Sequence, residues 1–358
     1  MAAEHTRRSV RRRRTLAALG VVGLIGVGLL AWAVSWYEGQ VNPGPRGPAV
    51  VIDVPQGASV GSVASKLSDR GVISSSFAFR LYLFLHGTPV VHPGRYLVYR
   101  DEDYSGIHNV LAGGPDVFEI SVPPGFTVAE VAGEVGSLPG HDQSSFLKTA
   151  RSGEVTSPYL SAASEAGSYN LDGLLGTGTY LVLPGERDAT LLRAMVTRFN
   201  TQAAKMDLTS GSAALGYKPY QVITIASIVQ KEALSPGDSA TATAFNAPRV
   251  ARVIYNRLAA GTPLQDDSTV LYAEGRDGGT VTSSDLNYNS PYNTYEHSGL
   301  TPTPICFPSA LAFQATLHPQ PGSWMYFVLT SRDGTETFSD TFTEQVAAEQ
   351  LAHSRGLP

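Results

Sequence analysis

The sequence predicts an α+β protein with an N-terminal transmembrane helix and a mixed α/β domain in its C-terminal half. Three observations carry this prediction. Residues 16–37 form an apolar run without a charged side chain, a strand–turn–helix pattern occurs twice at a constant offset of 68 positions, and longer helical stripes separated by Gly- and Pro-rich loops begin near residue 168. At 358 residues the chain needs more than one hydrophobic core, since single cores rarely grow past roughly 250 residues.

The apolar run at residues 16–37 is long enough to span a membrane. A hydrocarbon core of roughly 30 Å needs about 20 apolar residues in a helix, whereas the core of a cleavable signal peptide has about 7–15. Six arginines precede the run, and basic residues keep a flanking segment in the cytoplasm. We therefore predict a cytoplasmic tail at residues 1–15, a single-pass anchor in the cell membrane, and an extracytoplasmic location for the remainder. A buried core helix and an atypical signal peptide are the alternatives.

The charge of the extracytoplasmic part argues against nucleic acid as a partner. Without the six arginines and Glu4 of the tail, the 26 basic and 31 acidic side chains fall to 20 and 30, a net charge of −10. A polyanionic ligand requires the opposite balance. Cys306 is the only cysteine, which excludes an intramolecular disulfide, and its apolar neighbours predict burial. The eight histidines show no ligand spacing, so we expect no metal and no other cofactor.

An internal repeat organises the segment that follows a linker at residues 38–47. Residues 51–60 and 119–128 each read as an alternating strand, a Pro-x-Gly turn and a Ser or Thr that caps a short helix. Similar Ser-Ser-Phe triplets at residues 75–77 and 144–146 then open a second helix in each copy. The sequence therefore predicts one module at residues 48–115, a second repeat-like subdomain at residues 116–165, and a larger domain at residues 166–358.

Glu232 lies on the apolar side of a predicted helix at residues 219–234. On a helical wheel it falls within the stripe formed by Ile225, Ile228 and Val229, and the polar neighbours point the other way. A carboxylate against an apolar wall loses hydration, which raises its pKa. A general acid for glycoside cleavage needs a carboxyl group that stays protonated near neutral pH. The alternative is a buried glutamate paired with an arginine of the next helix.

Residues 225–233, Ile-Ala-Ser-Ile-Val-Gln-Lys-Glu-Ala, resemble the signature helix of the MltG (YceG-like) family of murein lytic transglycosylases, whose catalytic glutamate matches Glu232. The similarity continues, in matching order and spacing, through residues 250–258, 264–270, 290–295 and 299–305. Ser268 stands where the family usually has proline, and Glu336 where a histidine is often found. The first repeat copy, with a return strand near residues 96–99, resembles a LysM module.

The resemblance implies an endolytic peptidoglycan lytic transglycosylase, a carbon–oxygen lyase acting on a polysaccharide in cell wall biogenesis. It would cleave the MurNAc–GlcNAc bond of nascent glycan strands, leave 1,6-anhydro-MurNAc ends and limit strand elongation. Such an enzyme manages with one carboxylate, because the C6 hydroxyl of its substrate attacks C1 intramolecularly. Peptidoglycan strands are the implied partner, with peptidoglycan synthases as candidates. A LysM-like module would hold glycan, with a plain spacer as the alternative.

Residues 166–358 are then the YceG-like catalytic domain, with Glu232 as its acid and base. Polar and aromatic side chains of its Gly- and Pro-rich loops are predicted to bind the sugar: Gln265, Tyr292, Asn293, Thr294 and Tyr295. For each of them a loop-stabilising role is the alternative.

Two other functions stay open at this point. A hydrolytic muramidase would need a second carboxylate, such as Asp266 or Asp267, beside Glu232. A noncatalytic peptidoglycan-binding scaffold of the wall-synthesis machinery would need only the LysM-like module.

Overall fold

The computed structural model describes residues 2–160, 169–234 and 238–357, with side chains from residue 19 onward. Within them the chain forms two compact units, Met1–Phe118 and Glu119–Pro358. The boundary predicted between residues 165 and 166 lies outside the described residues. The other domain limits proposed from the sequence stay predictions.

The first unit begins with one long helix, α1 (Ala2–Val41). Within it Leu19–Val41 is long and apolar enough to cross a membrane, and this stretch overlaps most of the predicted run at residues 16–37. Strand β1 (Ala49–Val54) follows, then helices α2 (Val60–Asp69) and α3 (Ser76–His86), strand β2 (Gly94–Tyr99) and helix α4 (Tyr104–Gly113). Strands β1 and β2 pair antiparallel, with Ala49 opposite Tyr99.

The second unit opens with the same order of elements. Strand β3 (Phe118–Val122), helices α5 (Val128–Gly136) and α6 (Gln143–Ala150) and strand β4 (Gly178–Val182) follow one another, and β3 pairs with β4. The caps of the repeat are formed as the sequence predicts, since Ser59 caps α2 and Thr127 caps α5 in a capping box. Both copies are therefore strand–helix–helix–strand units. A LysM-like character of the first copy stays a prediction.

The remainder of the second unit is mostly helical. Its helices are α7 (Asp188–Lys205), α8 (Leu208–Ala214), α9 (Pro219–Ala233), α10 (Ala240–Ala260), α11 (Asp267–Ala273) and α12 (Ala310–Leu317). A hairpin of β5 (Tyr326–Leu329) and β6 (Glu336–Ser339) precedes the closing helix α13 (Phe342–Ser354). Helix α9 contacts α8, α10, α11 and α12, so it is the central element of this unit.

An N-terminal apolar helix that could span a membrane and a mixed helix–strand composition are thus present, and Cys306 is buried as expected. The side of α9 opposite its apolar stripe is not a solvent-facing surface, because Ser227 and Gln230 are buried. Ser227 Oγ accepts a hydrogen bond from the Ile305 amide at 3.0 Å, and Gln230 Oε1 accepts one from the Ser309 amide at 2.9 Å. These polar side chains bind the backbone of the segment that leads into α12.

A substitution at Gly173 tests the packing against this same segment. Gly173 has φ +77°, and an added Cβ would lie 2.5 Å from Pro304 Cβ and 2.9 Å from Ile223 Cγ2. We expect Gly173→Ala to lower the free energy of unfolding by about 3 kcal/mol, through left-handed backbone strain and overpacking together. Denaturant unfolding measures the change.

Gly185 provides the matched control. It has φ +65° with no atom within 4 Å of an added Cβ, so Gly185→Ala should cost only the backbone strain, about 1 kcal/mol. Equal losses in the two variants would contradict the close packing at Gly173.

Candidate active site

Glu232 lies in the last turn of α9, where a largely buried helix reaches the surface. Ile225, Ile228 and Val229 are buried in one cluster with residues of α10, as the apolar stripe predicts. The Glu232 side chain remains partly accessible to solvent, and its Oε1 accepts a hydrogen bond from the Ser268 amide at 3.2 Å. A residue in this position is held by a rigid element and can still be reached by a ligand.

The environment of Glu232 favours its protonated form. Burial is the largest cause and raises the pKa of the Glu232 carboxyl above its ordinary value. Contacts with Ser268 lower the pKa, and the negative charge of Asp267 raises it. Among the described ion pairs, none includes Glu232. The alternative of a glutamate locked to an arginine therefore does not describe this side chain.

Asp266 is a second carboxyl group close enough to interact with Glu232. Burial raises the pKa of Asp266 well above its ordinary value, the charge of Glu232 raises it further, and the Arg257 guanidinium lowers it. Asp266 is only 3% exposed, and its Oδ2 has no hydrogen-bond partner among the described residues. Burial and the charge of Glu232 therefore both disfavour ionisation of Asp266.

Glu336, at the start of β6, is a third carboxyl group, and the charge of Glu232 affects its pKa. Burial, followed by the charges of Glu232 and Asp238, raises the pKa of Glu336 to about 8. Its Oε2 is buried and has no hydrogen-bond partner within the described ranges. The acidic side chains 232, 266 and 336 thus gather from α9, the start of α11 and the hairpin.

The pH dependence of stability tests the environment of Glu336. A carboxyl group whose folded-state pKa is raised from 4.5 to about 8 binds its proton more tightly in the folded chain, so stability falls as the pH rises through this range. We expect Glu336→Gln to raise the melting temperature at pH 9 and to change it little at pH 4. Calorimetry at both pH values measures the difference, and a pH-independent effect would contradict a raised pKa.

Arg257 on α10 holds the loop that carries these acids. Its side chain is buried and donates hydrogen bonds to Met325 O at 2.6 Å, to Pro263 O at 3.2 Å and to Leu264 O. The guanidinium also stands over the Tyr326 ring, 5.1 Å from its centroid. Arg257 therefore joins α10, the loop before α11 and strand β5, and places its charge near Asp266.

The structure brings the predicted loop residues Gln265 and Thr294 to the edge of this cluster. Gln265 is exposed and has φ +54°, and its backbone N–H donates a hydrogen bond to Thr294 O at 3.1 Å. Thr294 is buried, and its Oγ1 accepts from the Asp266 amide at 3.0 Å. Gln265 can therefore meet a ligand directly, whereas Thr294 fixes the position of Asp266.

Asn293 is fully buried beneath the same loop. Its Nδ2 donates to Leu286 O and Tyr288 O, both at 2.9 Å, and its Oδ1 accepts from the Tyr295 amide at 3.0 Å. The side chain is thus occupied in holding the loop. A direct contact between Asn293 or Thr294 and a glycan stays a prediction.

The two predicted aromatic residues differ in their position relative to the acidic side chains. Tyr295 is partly exposed, and its hydroxyl donates to Asp267 Oδ1 at 2.6 Å. Burial, this hydrogen bond and the neighbouring acids all raise the pKa of Tyr295. Tyr292 instead packs on Tyr272, with ring centroids 5.0 Å apart, and its hydroxyl lies 2.9 Å from Thr303 Oγ1. Tyr295 is therefore the aromatic side chain of the pair that lies beside the acids.

A match to the YceG-like family model covers residues 52–350. This chain belongs to the YceG-like family. It is 28% identical over 315 residues to an endolytic murein transglycosylase of Bacillus subtilis, covering 84% of each chain. It is 25% identical over 312 residues to one of Streptococcus pneumoniae, covering 80% of this chain and 55% of that relative. The chain thus spans about half the length of the pneumococcal protein.

A solved structure of a YceG-like protein from Listeria monocytogenes shares the fold. The two superpose with a TM-score of 0.56 at 24% identity, over 84% of this chain and 98% of that one. The α+β architecture of this YceG-like chain is therefore that of a known relative.

Three contributors to the site of this YceG-like chain were not among the residues predicted to form it: Ser268, Arg257 and Glu336. Ser268 contributes a backbone amide, which its side chain cannot reveal. Arg257 lies on the helix after α9, where the sequence offered an arginine as an ion-pair partner of Glu232, but its side chain bonds backbone carbonyl oxygens instead. Glu336 had one signal, since the sequence resemblance implies a histidine at this position.

Proposed function

We propose that this YceG-like chain is an endolytic murein lytic transglycosylase that cleaves the MurNAc–GlcNAc bond of peptidoglycan glycan strands. The observation that carries the proposal is the position of Glu232, a partly accessible carboxyl group with a raised pKa on the family's signature helix. Relatives that align along most of this chain bear the same name. A proton donor of this kind is what protonation of a glycosidic oxygen requires.

The proposed reaction uses one carboxyl group twice. Glu232 gives its proton to the bridging oxygen, and the bond between that oxygen and C1 of MurNAc breaks. The C6 hydroxyl oxygen of the same sugar bonds to C1, and its proton passes to the Glu232 carboxylate. The products are a free hydroxyl on the departing sugar and a 1,6-anhydro-MurNAc end. Intramolecular attack needs no second nucleophile, because its effective molarity is high.

The residues around Glu232 have two proposed roles: some contact the sugar, and others hold the loop in place. Gln265 and Tyr295 are the accessible side chains, and we assign them to hydrogen bonding and stacking with the sugar. Asn293 and Thr294 keep the loop in place from below. Tyr292, which packs on Tyr272, is assigned to a part of the sugar-binding site farther from the acids.

A hydrolytic muramidase is the second candidate, and one observation favours it. Asp266 and Asp267 both lie close enough to influence the pKa of Glu232 or to be influenced by it. A hydrolase would need one of them ionised to activate water or to attack the sugar. The raised pKa of Asp266 argues against that role for Asp266, whereas Asp267 is exposed and bonded only to Tyr295 among the described contacts.

The mass of the product ends separates these functions. We expect the detergent-solubilised full chain to release glycan with ends one water lighter than reducing ends, cut within strands as well as near their termini. Ends of the full hydrated mass would establish the muramidase instead. A noncatalytic scaffold would release no new glycan ends, so the assay of the wild-type protein is sufficient to recognise it.

We further propose that the apolar run at residues 16–37, most of which lies in the candidate membrane span Leu19–Val41, is a single-pass anchor with residues 1–15 in the cytoplasm and all later residues outside the cell. Its substrate there is nascent glycan, and cleavage would limit strand elongation. Peptidoglycan synthases are the partners that such a location favours. The strand–helix–helix–strand unit at residues 48–115 is proposed to hold glycan in the manner of a LysM module.

A further inference from the structure

Helix α3 carries an apolar face that no part of the described chain covers. The inward side chains Phe79, Tyr82 and Leu83 are buried in the core of the first unit. The outward residues, spaced four, three and one apart on one side of the helix, are exposed apolar side chains: Phe77 (65% exposed), Leu81 (36%), Phe84 (81%) and Leu85 (60%). Contiguous exposed apolar surface of this kind marks an interaction site.

The contact between α3 and α1 determines the depth of this face relative to the membrane. Tyr37 and Val41, in the last turns of α1, pack against the cluster that contains Phe79 and Leu83. The 22 residues of the uncharged run 16–37, which lie within α1, rise about 33 Å, slightly more than a hydrocarbon core of roughly 30 Å. The last turn of α1 therefore lies at the membrane–water interface, and α3, which packs on it, lies at the same level.

The side chains near this end of α1 agree with an interfacial position. Trp32 and Trp36 are exposed on the last three turns of the span, and amphipathic indole rings concentrate at the headgroup level of membranes. Arg80 is exposed on α3 between the outward aromatic residues, where a cation can meet anionic headgroups.

We propose that the outward face of α3, formed by Phe77, Leu81, Phe84 and Leu85, inserts into the headgroup region of the leaflet from which α1 emerges. The occupant of the face is thus lipid, and the inference rests on the membrane anchor proposed above. An interfacial helix buries its apolar face about 5–10 Å into the boundary between headgroups and acyl chains. Two elements, α1 and α3, then fix the orientation of the first unit relative to the bilayer.

A fluorescent reporter at position 84 tests the insertion. Because Cys306 is the only cysteine and is buried, a Cys306→Ala background leaves one reactive thiol in the Phe84→Cys variant. The full chain, labelled with the polarity-sensitive dye NBD, is reconstituted into vesicles of phosphatidylethanolamine and phosphatidylglycerol. Phe77→Cys gives a second reporter on the same face, and Gln56→Cys, in the exposed turn after β1, gives a reference.

We expect the labels at positions 84 and 77 to shift to shorter emission wavelengths and to be quenched by doxyl lipids about two-fold or more above the label at position 56, because they lie within the headgroup boundary. Vesicle flotation is measured first. Protein that fails to float contradicts the anchor and the inference together. Protein that floats without lipid quenching at positions 84 and 77 overturns the inference alone. A wavelength shift without lipid quenching assigns the face to another protein surface, which also overturns it.

Discussion

Glu232→Gln should reduce the rate of glycan cleavage by at least about 1,000-fold. General acid–base catalysis contributes about 100- to 10,000-fold, and the upper part of this range applies where one group acts first as acid and then as base. The substitution keeps the shape of the side chain and removes a carboxyl group whose ionisation burial disfavours. The folded protein should therefore be no less stable than the wild type. Release of anhydro ends and thermal melting measure the two effects.

Lys231→Gln is the matched control on the same turn of α9. Lys231 forms a surface ion pair with Asp277 at 2.6 Å, and such pairs contribute about 0–1 kcal/mol. Its activity should stay within about two-fold of wild type, since the residue does not touch the acidic cluster. Retention of cleavage in Glu232→Gln would remove Glu232 from the reaction.

Arg257→Ala should lower the free energy of unfolding by about 3 kcal/mol or more, because charged hydrogen bonds to Met325, Pro263 and Leu264 are lost in a buried setting. Cleavage should fall too. The Arg257 side chain fixes the loop before α11, and Ser268 on α11 supplies the amide that bonds Glu232. Denaturant unfolding and the cleavage rate are both measured.

Arg252→Ala, one turn earlier on α10, is the control for losing an arginine from this helix. Arg252 makes an exposed hydrogen bond to Gln320 O at 3.0 Å, so its removal should cost about 1 kcal/mol or less. Arg257→Lys should lie between the two, because lysine keeps the charge but lacks the planar fork that reaches several carbonyl groups. A loss in Arg257→Ala no larger than that in Arg252→Ala would contradict the supporting role of Arg257.

Local sequence signals predicted the elements whose formation depends on near neighbours. The capping residues Ser59 and Thr127 begin their helices as expected, and the repeat yields two units with the same order of strands and helices. Helix α10 begins at Ala240 after its N-cap Ser239, although the internal Pro248 is a residue type that favours the first turn of a helix.

Helix α9 shows which features of burial helical periodicity does not predict. The apolar stripe predicts which side of α9 faces the core, and Ile225, Ile228 and Val229 are buried there. It does not show that Ser227 and Gln230 are buried too, since their partners are backbone amides some 80 residues later in the chain. Long-range hydrogen bonds of this kind produce no regular residue spacing that could be recognised in the sequence.

The same limit applies to the acidic cluster. Residues 232, 266 and 336 are separated by long stretches of chain, and their pKa values depend on mutual distance and burial that only the folded structure supplies. The predicted loop residues divide by burial, which composition alone does not reveal: Gln265 and Tyr295 are accessible, and Asn293 and Thr294 are covered.

The pH dependence of kcat/KM for glycan cleavage tests most directly whether Glu232 acts as a protonated acid. We expect the rate to fall at a pH above the ordinary glutamate value of 4.5, because burial and Asp267 raise the pKa of Glu232. Asp267→Asn removes one of these causes and should move this fall to lower pH. A rate that already falls near pH 4.5 in the wild type, or a profile that Asp267→Asn leaves in place, would contradict the assignment.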